Sequence, residues 1–266
     1  MTGDGPGARL TVVGSGTVVP EGDRGGSSSF LEAGGARLLV DCGPGAVGSM
    51  ARHGVPWDRL THLALTHFHG DHVGDLPGLF FALKHAVRPG REEPLAVLGP
   101  DGTRELLEGL SETLGGYLTD PGFPVEVREI EPGGEAGLAP GVTLRARSTP
   151  HTERSLAYRV DAPGGSAGWT GDTGPAPGLG SFFREVDLLL AECSLPEEEA
   201  ADNHLSPPGV AEIAAAARPG LLLITHVYPH FRDAADVPAL VRAAGYAGPV
   251  ELAVDGSAHA AGGAAG

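Results

Sequence analysis

The sequence predicts an α/β domain in which two sheets pack face to face with helices outside. Three observations predict it. Short apolar runs of strand character cluster in each half of the chain, helical spacings are interspersed among them, and ligand-type side chains collect near the C-terminal ends of strands.

Taken in order, residues 1–8 read as a frayed lead-in. Arg9–Val13 is a strand broken by Gly14-Ser-Gly16, and a Gly/Ser/Asp loop covers 17–27. Residues 28–33 and 37–40 form a hairpin about Gly34-Gly35, and 46–53 follow as a helix. A strand over 62–65 runs into Thr66-His-Phe-His-Gly-Asp-His72, and an apolar helix spans 76–86. Further strands are expected at 95–98, 125–130, 142–148, 156–160, 167–170, 186–191, 221–225 and 250–254. Helices are expected at 103–114, 207–217 and 237–244. Residues 132–141 read as a Gly/Pro-rich loop, and the Ala/Gly stretch 256–266 as a flexible tail. One domain over 9–255 results. Gly14-Ser-Gly16 is no dinucleotide fingerprint, because neither a third glycine nor a helix follows at the required spacing.

Composition narrows the function. The net charge is −16, with 34 Asp and Glu against 18 Lys and Arg, and Lys84 is the single lysine. That excludes broad affinity for nucleic acid, which needs cationic contacts to phosphates. A phosphate substrate remains open, since bound cations reverse the local field. Two distant cysteines, Cys42 and Cys193, suggest buried thiols rather than a disulfide or a thiolate metal site. No basic segment leads into an apolar run at the start, and no stretch of 18 apolar residues occurs. A cytoplasmic protein without membrane contact is the expectation.

The chemistry gathers at residues 67–72. Alternation along an extended segment puts His67 and His69 on one side. Gly70 permits a turn, so Asp71 and His72 point elsewhere. One short segment can therefore feed two adjacent metals. Imidazole and carboxylate donors without thiolate suit zinc, with manganese or iron as alternatives. Further ligands are sought at strand ends, where His151, Asp172 and His226 stand. Singly, such residues are more often caps or hydrogen-bonded surface groups.

Together, His67, His69, Asp71, His72, His151, Asp172 and His226 resemble, in identity and order, the ligand set of the metallo-β-lactamase superfamily. The resemblance implies a four-layer αββα sandwich. It also implies that His67, His69 and His151 bind one metal, that Asp71, His72 and His226 bind a second, and that Asp172 bridges the two. Within that superfamily the chain is most similar to the ribonuclease Z group of zinc phosphodiesterases, through Thr66–Gly78, Asp41-Cys-Gly43, Leu98-Gly-Pro100 and Leu221–His226. Glu192 and His204 match a Glu–His pair of that group near the leaving group. Asp71, Glu192 and His204 are thus the residues expected to act catalytically. The resemblance also implies a homodimer. One departure stands out: His151 and Asp172 are only 21 positions apart, leaving no room for the long arm with which transfer-RNA-processing members clasp their substrate. An arm-less variant acting on a small phosphodiester or an RNA end is the expectation.

Two metals would lower the pKa of a water between them and neutralise charge developing on the phosphoryl oxygens. His204, held protonated by Glu192, would donate to the leaving oxygen. Asp41 is either an acceptor for a ligand histidine or a strand-end cap. Arg154 and Arg159 are favoured as surface or structural residues over phosphate contacts, and His230 could line the rim. The alternative activity is metal-dependent hydrolysis of a thioester, lactone or other carboxylic substrate, which would use the same metals without needing His204. A non-catalytic binding module is disfavoured by the complete ligand set.

Overall fold

The computed structural model of the chain describes residues 7–199 and 201–262. Two seven-stranded mixed sheets face each other. The first is built from β1 (Arg9–Gly14), β2 (Ser28–Ala33), β3 (Ala36–Val40), β4 (His62–Ala64), β5 (Leu95–Gly99), β6 (Val125–Glu129) and β14 (Ala258–Ala260), in the order β14-β1-β2-β3-β4-β5-β6. The second contains β7 (Glu135–Ala139), β8 (Val142–Ser148), β9 (Leu156–Ala162), β10 (Gly165–Trp169), β11 (Leu188–Glu192), β12 (Leu221–Thr225) and β13 (Val250–Leu252), in the order β13-β12-β11-β10-β9-β8-β7. In each sheet an antiparallel part continues into parallel strands, β3-β4-β5-β6 in one and β10-β11-β12-β13 in the other.

The residues explain the layering. Strand side chains alternate between two faces, and here both faces are buried. Leu188 and Leu190 enter the core between the sheets, while Leu189 and Ala191 pack against outer helices. Leu38 and Val40 likewise point inward and Leu39 outward. Parallel strands covered on both sides read as unbroken apolar runs, as Leu188–Leu190 and Leu221–Ile224 do. Outside the first sheet lie α1 (Ala46–Arg52), α2 (Gly70–Val73), α3 (Leu76–His85) and α4 (Thr103–Thr113). Outside the second lie α5 (Leu179–Phe182), α6 (Pro207–Ala217), α7 (Pro229–Ala234) and α8 (Val237–Ala243). The result is the αββα sandwich expected from the sequence.

Two expectations are corrected. The tail does not begin at Gly256: Ala258–Ala260 pair antiparallel with Arg9–Thr11, and Ala261 is buried in the inter-sheet core. Strand pairing is made by backbone groups, so an Ala/Gly composition does not prevent it once β1 offers an open edge. The loop 132–141 contains β7, held in register against β8 with Glu135 opposite Arg145. It is an edge strand of low β propensity, stabilised by its partner rather than by its own side chains. The expected frayed lead-in lies outside the described residues except for Gly7 and Ala8, and Ala8 is buried. Residues 263–266 of the expected tail also lie outside them. Among the described residues no helix is long and apolar enough to cross a membrane.

Candidate metal centre

The site forms where the parallel strands of both sheets end. After β4 the chain stays extended, so Thr66 and His67 are buried and His69 reaches the surface. It then turns into α2, which carries Asp71 and His72. The backbone carbonyl of Asp71 passes so close to Gly43 that a Cβ there would lie 2.0 Å from it, and the Cys42 N–H donates to the His72 carbonyl. A glycine at 43 is thus what lets the segment after β3 brace α2. His151 follows β8, Asp172 follows β10, Glu192 ends β11, and His226 follows β12. Asp41 and His226 both adopt left-handed backbone conformations, φ 59° and 53°, which non-glycine residues rarely enter. Such conformations recur where a strand end must aim a functional side chain.

These residues converge. Donor atoms of His67, His69 and His151 lie within 4.8 Å of one another, and so do those of Asp71, His72 and His226. The Asp172 carboxylate stands between the groups, with Oδ1 3.3 Å from His72 Nε2. Its Oδ2 lies 3.6 Å from His226 Nε2, 3.7 Å from His151 Nε2 and 3.9 Å from His67 Nε2. All seven sequence-predicted ligand positions therefore meet in one place.

Four of the five imidazoles are backed at Nδ1, leaving Nε2 to face inward. His72 Nδ1 donates to Asp41 Oδ2 at 2.8 Å, and His151 Nδ1 to the Asn203 carbonyl at 2.9 Å. His67 Nδ1 lies 3.1 Å from Thr66 Oγ1, and His226 Nδ1 2.9 Å from Ser194 Oγ. His69 instead turns Nδ1 inward, 3.0 Å from His151 Nε2. Of the two open roles for Asp41, acceptor for a ligand histidine is the one it fills, and it also accepts from the Thr66 N–H and hydroxyl. Sequence reasoning missed Thr66, Ser194 and the Asn203 carbonyl. A hydroxyl two residues beyond the ends of both β4 and β11 is the signal that could have found the first two.

The electrostatics suit a cation. His67 Nε2 and His72 Nε2 are buried without a hydrogen-bond partner, which is costly unless something accepts their lone pairs. Burial, reinforced by the neighbouring His72, pushes the His67 pKa down to about 2, so its imidazole is neutral and available. Burial opposes ionisation of Asp71, but the His226 hydrogen bond and nearby imidazoles hold its pKa at about 2. A neutral His67, ionised carboxylates and two orphaned buried nitrogens fit divalent cations.

A histidine–carboxylate pair lies beside the cluster. His204 Nδ1 is 3.0 Å from Glu192 Oε1, and its ring centroid is 4.8 Å from that of His151. Burial lowers the His204 pKa, but the hydrogen bond and charge of Glu192 raise it above the ordinary imidazole value. The loops carrying these groups are cross-tied. Glu192 Oε1 accepts from Thr173 N–H and Gly174 N–H donates to the Pro150 carbonyl, while a Cβ on Gly174 would lie 1.8 Å from the Asp202 carbonyl. Arg154 is paired with Asp101 and Glu105, and Arg159 with Asp161 and the carbonyls of Phe182 and Arg184, so both serve structure. His230 is exposed against Glu199.

The short connection after His151 has a simple form. Thr152–Ser155 closes on itself, with Thr152 N–H and Oγ1 bound to Ser155 Oγ and the Arg154 N–H donating to Thr152 Oγ1. The chain then runs down β9, turns at Pro163-Gly164 and returns along β10 to Asp172.

A two-sheet sandwich with a His/Asp cluster at the shared strand ends defines a metallohydrolase of the metallo-β-lactamase fold. A family model described as "Beta-lactamase superfamily domain" matches residues 36–227. Ribonuclease Z of Mycobacterium sp. (strain KMS) is 33% identical over 257 residues, 88% of this chain and 89% of that one. Ribonuclease Z of Mycolicibacterium gilvum is 32% identical over 242 residues, 83% and 84% of the two chains. Among solved structures, the metallo-β-lactamase fold protein YhfI from Bacillus subtilis superposes with a TM-score of 0.80 at 24% identity, covering 95% and 98% of the chains. The short form of human tRNase Z does so with a TM-score of 0.79 at 22% identity, covering 95% and 99%. The chain belongs to the β-lactamase superfamily, in its ribonuclease Z-like group.

Proposed function

We propose that the protein is a metal-dependent phosphodiesterase of ribonuclease Z type. The observation that carries this reading is the buried Glu192 holding His204, a proton donor, against a seven-residue His/Asp cluster. His67, His69 and His151 would hold one cation, Asp71, His72 and His226 the other, and Asp172 would bridge them. When bound there, two divalent cations, zinc by donor chemistry, supply an activated water and a counter-charge for the phosphoryl oxygens.

The remaining chemistry belongs to the chain. The backed Nδ1 atoms hold the imidazoles in the tautomer that presents Nε2. Asp71, kept ionised and beside His226, provides negative charge at the cluster throughout the cycle and stands where it can orient an attacking water. Glu192 orients His204 through Nδ1 and favours its protonated form. His204 Nε2 then delivers a proton to the leaving oxygen, a step worth roughly 10²–10⁴ in rate. Hydrolysis of a thioester, whose thiolate departs without a proton, would not need a donor at His204.

The relatives are named for RNA processing, and a phosphodiester-bearing substrate is part of the proposal. The tight Thr152–Ser155 turn and the acidic surface favour a small phosphodiester or an RNA end over a clasped transfer RNA. A homodimer is the proposed assembly, checked by light scattering. The test of substrate is direct. Zinc-loaded protein is assayed on bis-p-nitrophenyl phosphate, cyclic nucleotides and a precursor transfer RNA, beside thioester and lactone panels. Phosphodiester cleavage is expected, and turnover confined to the thioester or lactone panels would overturn the reading.

A further inference from the structure

Ser194 is fully buried and makes three contacts, of which the reading above uses only the one to His226 Nδ1. Its Oγ lies 2.5 Å from Glu192 Oε2, 2.9 Å from His226 Nδ1 and 3.0 Å from the His226 carbonyl. A hydroxyl carries one proton. The ionised carboxylate is both the nearest acceptor and the strongest, so the Ser194 proton goes to Glu192. Oγ then has only lone pairs to offer His226, and its close contact with Nδ1 is favourable only if Nδ1 carries a hydrogen. Nε2, at 3.1 Å from Asp71 Oδ2 and 3.6 Å from Asp172 Oδ2, is then the nitrogen left for a cation, which would displace any proton it carries. Were Nδ1 bare, Ser194 would have to turn its proton away from Glu192, whose Oε2 would then face an oxygen lone pair at 2.5 Å.

Thr66 supplies an independent parallel in the other sheet. Its hydroxyl donates to Asp41 Oδ2 at 2.8 Å and lies 3.1 Å from His67 Nδ1. In both places a strand-end hydroxyl gives its proton to a buried carboxylate and presents a lone pair to an inward-facing histidine.

We infer that Ser194 is a positioning residue: it fixes His226 in the tautomer that offers Nε2 to a cation and, through Glu192, ties that histidine to the proton donor His204. The link runs His204–Glu192–Ser194–His226 through hydrogen bonds of 3.0, 2.5 and 2.9 Å. It sets the orientation of both ends at once, so filling the second cation position and aligning the donor are parts of one arrangement. The inference rests on the two-cation reading.

The test uses the full chain stripped with chelator and titrated with Zn²⁺ against a competing indicator. Wild type is expected to take up two equivalents. Ser194→Ala should keep the first and bind the second about 10–100-fold more weakly, the usual cost of losing a partner behind a ligand histidine. Ser194→Thr, which keeps the hydroxyl, should restore it. In the zinc-loaded wild type, nitrogen NMR of the His226 ring should show a proton on Nδ1. Uptake of both equivalents by Ser194→Ala at wild-type affinity would overturn the inference, as would failure of Ser194→Thr to rescue. A zinc-loaded wild type whose His226 Nδ1 carries no proton would also overturn it, and that measurement needs no variant to fold. If the wild type bound no zinc, the two-cation reading itself would fall instead.

Discussion

Asp41 Oδ2 accepts a hydrogen bond from His72 Nδ1 at 2.8 Å, and both groups are almost fully buried. The carboxylate stands in an unusual left-handed backbone conformation to reach that nitrogen. It also accepts from Thr66, so one residue steadies the ring of His72 and the entrance to the 67–72 segment. Asp41→Ala should therefore weaken zinc uptake by about 10–100-fold, read by competition with a metal indicator. Asp41→Asn, whose amide oxygen can still accept from His72 Nδ1 and the Thr66 hydroxyl, should lose less.

The leaving group decides how much His204 matters. His204→Ala should lower turnover of a phosphodiester with an alkyl or ribose leaving oxygen by roughly 10²–10⁴. The loss should be much smaller for p-nitrophenolate, which departs without a proton. Equal losses on both substrates, measured as kcat, would remove His204 from the donor role.

The pH profile follows from the Glu192–His204 contact. Burial lowers the His204 pKa and Glu192 more than restores it, so the folded value lies above the ordinary 6.5. A group raised in this way is protonated below 6.5 and loses its proton as pH climbs through the raised value. Turnover that uses His204 as donor should fall on the alkaline side, and in Glu192→Gln that limb should move to lower pH. On the acid side protons compete with cations. Burial disfavours charge on His72 and His226, but carboxylates led by Asp172 hold both pKa values up. Zinc affinity should decline as pH is lowered, measured by titration at several pH values.

Cation binding should also stabilise the fold. The metal-free cluster keeps two buried imidazole nitrogens without partners and the Asp172 carboxylate deep in the site. Adding zinc at a hundredfold excess over its dissociation constant should contribute about 2.7 kcal/mol per site, seen as a rise in Tm that a chelator reverses.

The positions of these groups were largely legible before the fold was known. His67, His69, Asp71 and His72 announce themselves because six residues carry four donors after an apolar strand. Residues 207–217 and 221–225 were bounded to the residue because proline opens the helix and the strand is buried on both faces. What escaped the sequence was whatever depends on a partner. β7 and β14 exist through backbone pairing with β8 and β1, which no composition rule sees. Ser194 looks like any polar residue in a loop until β11 and β12 bring it beneath His226. The short helices α5 and α7 are too brief to show periodicity.

The Thr152–Ser155 turn has a consequence of another kind. Three of its hydrogen bonds close within four residues, and it is one step from His151 along the chain. A splice between Glu153 and Arg154 would therefore lengthen the protein close to His151 without touching the strands beneath. The turn is a natural graft point, and transplanting an RNA-clasping arm there would ask whether this phosphodiesterase can be converted into a transfer-RNA processor by one insertion.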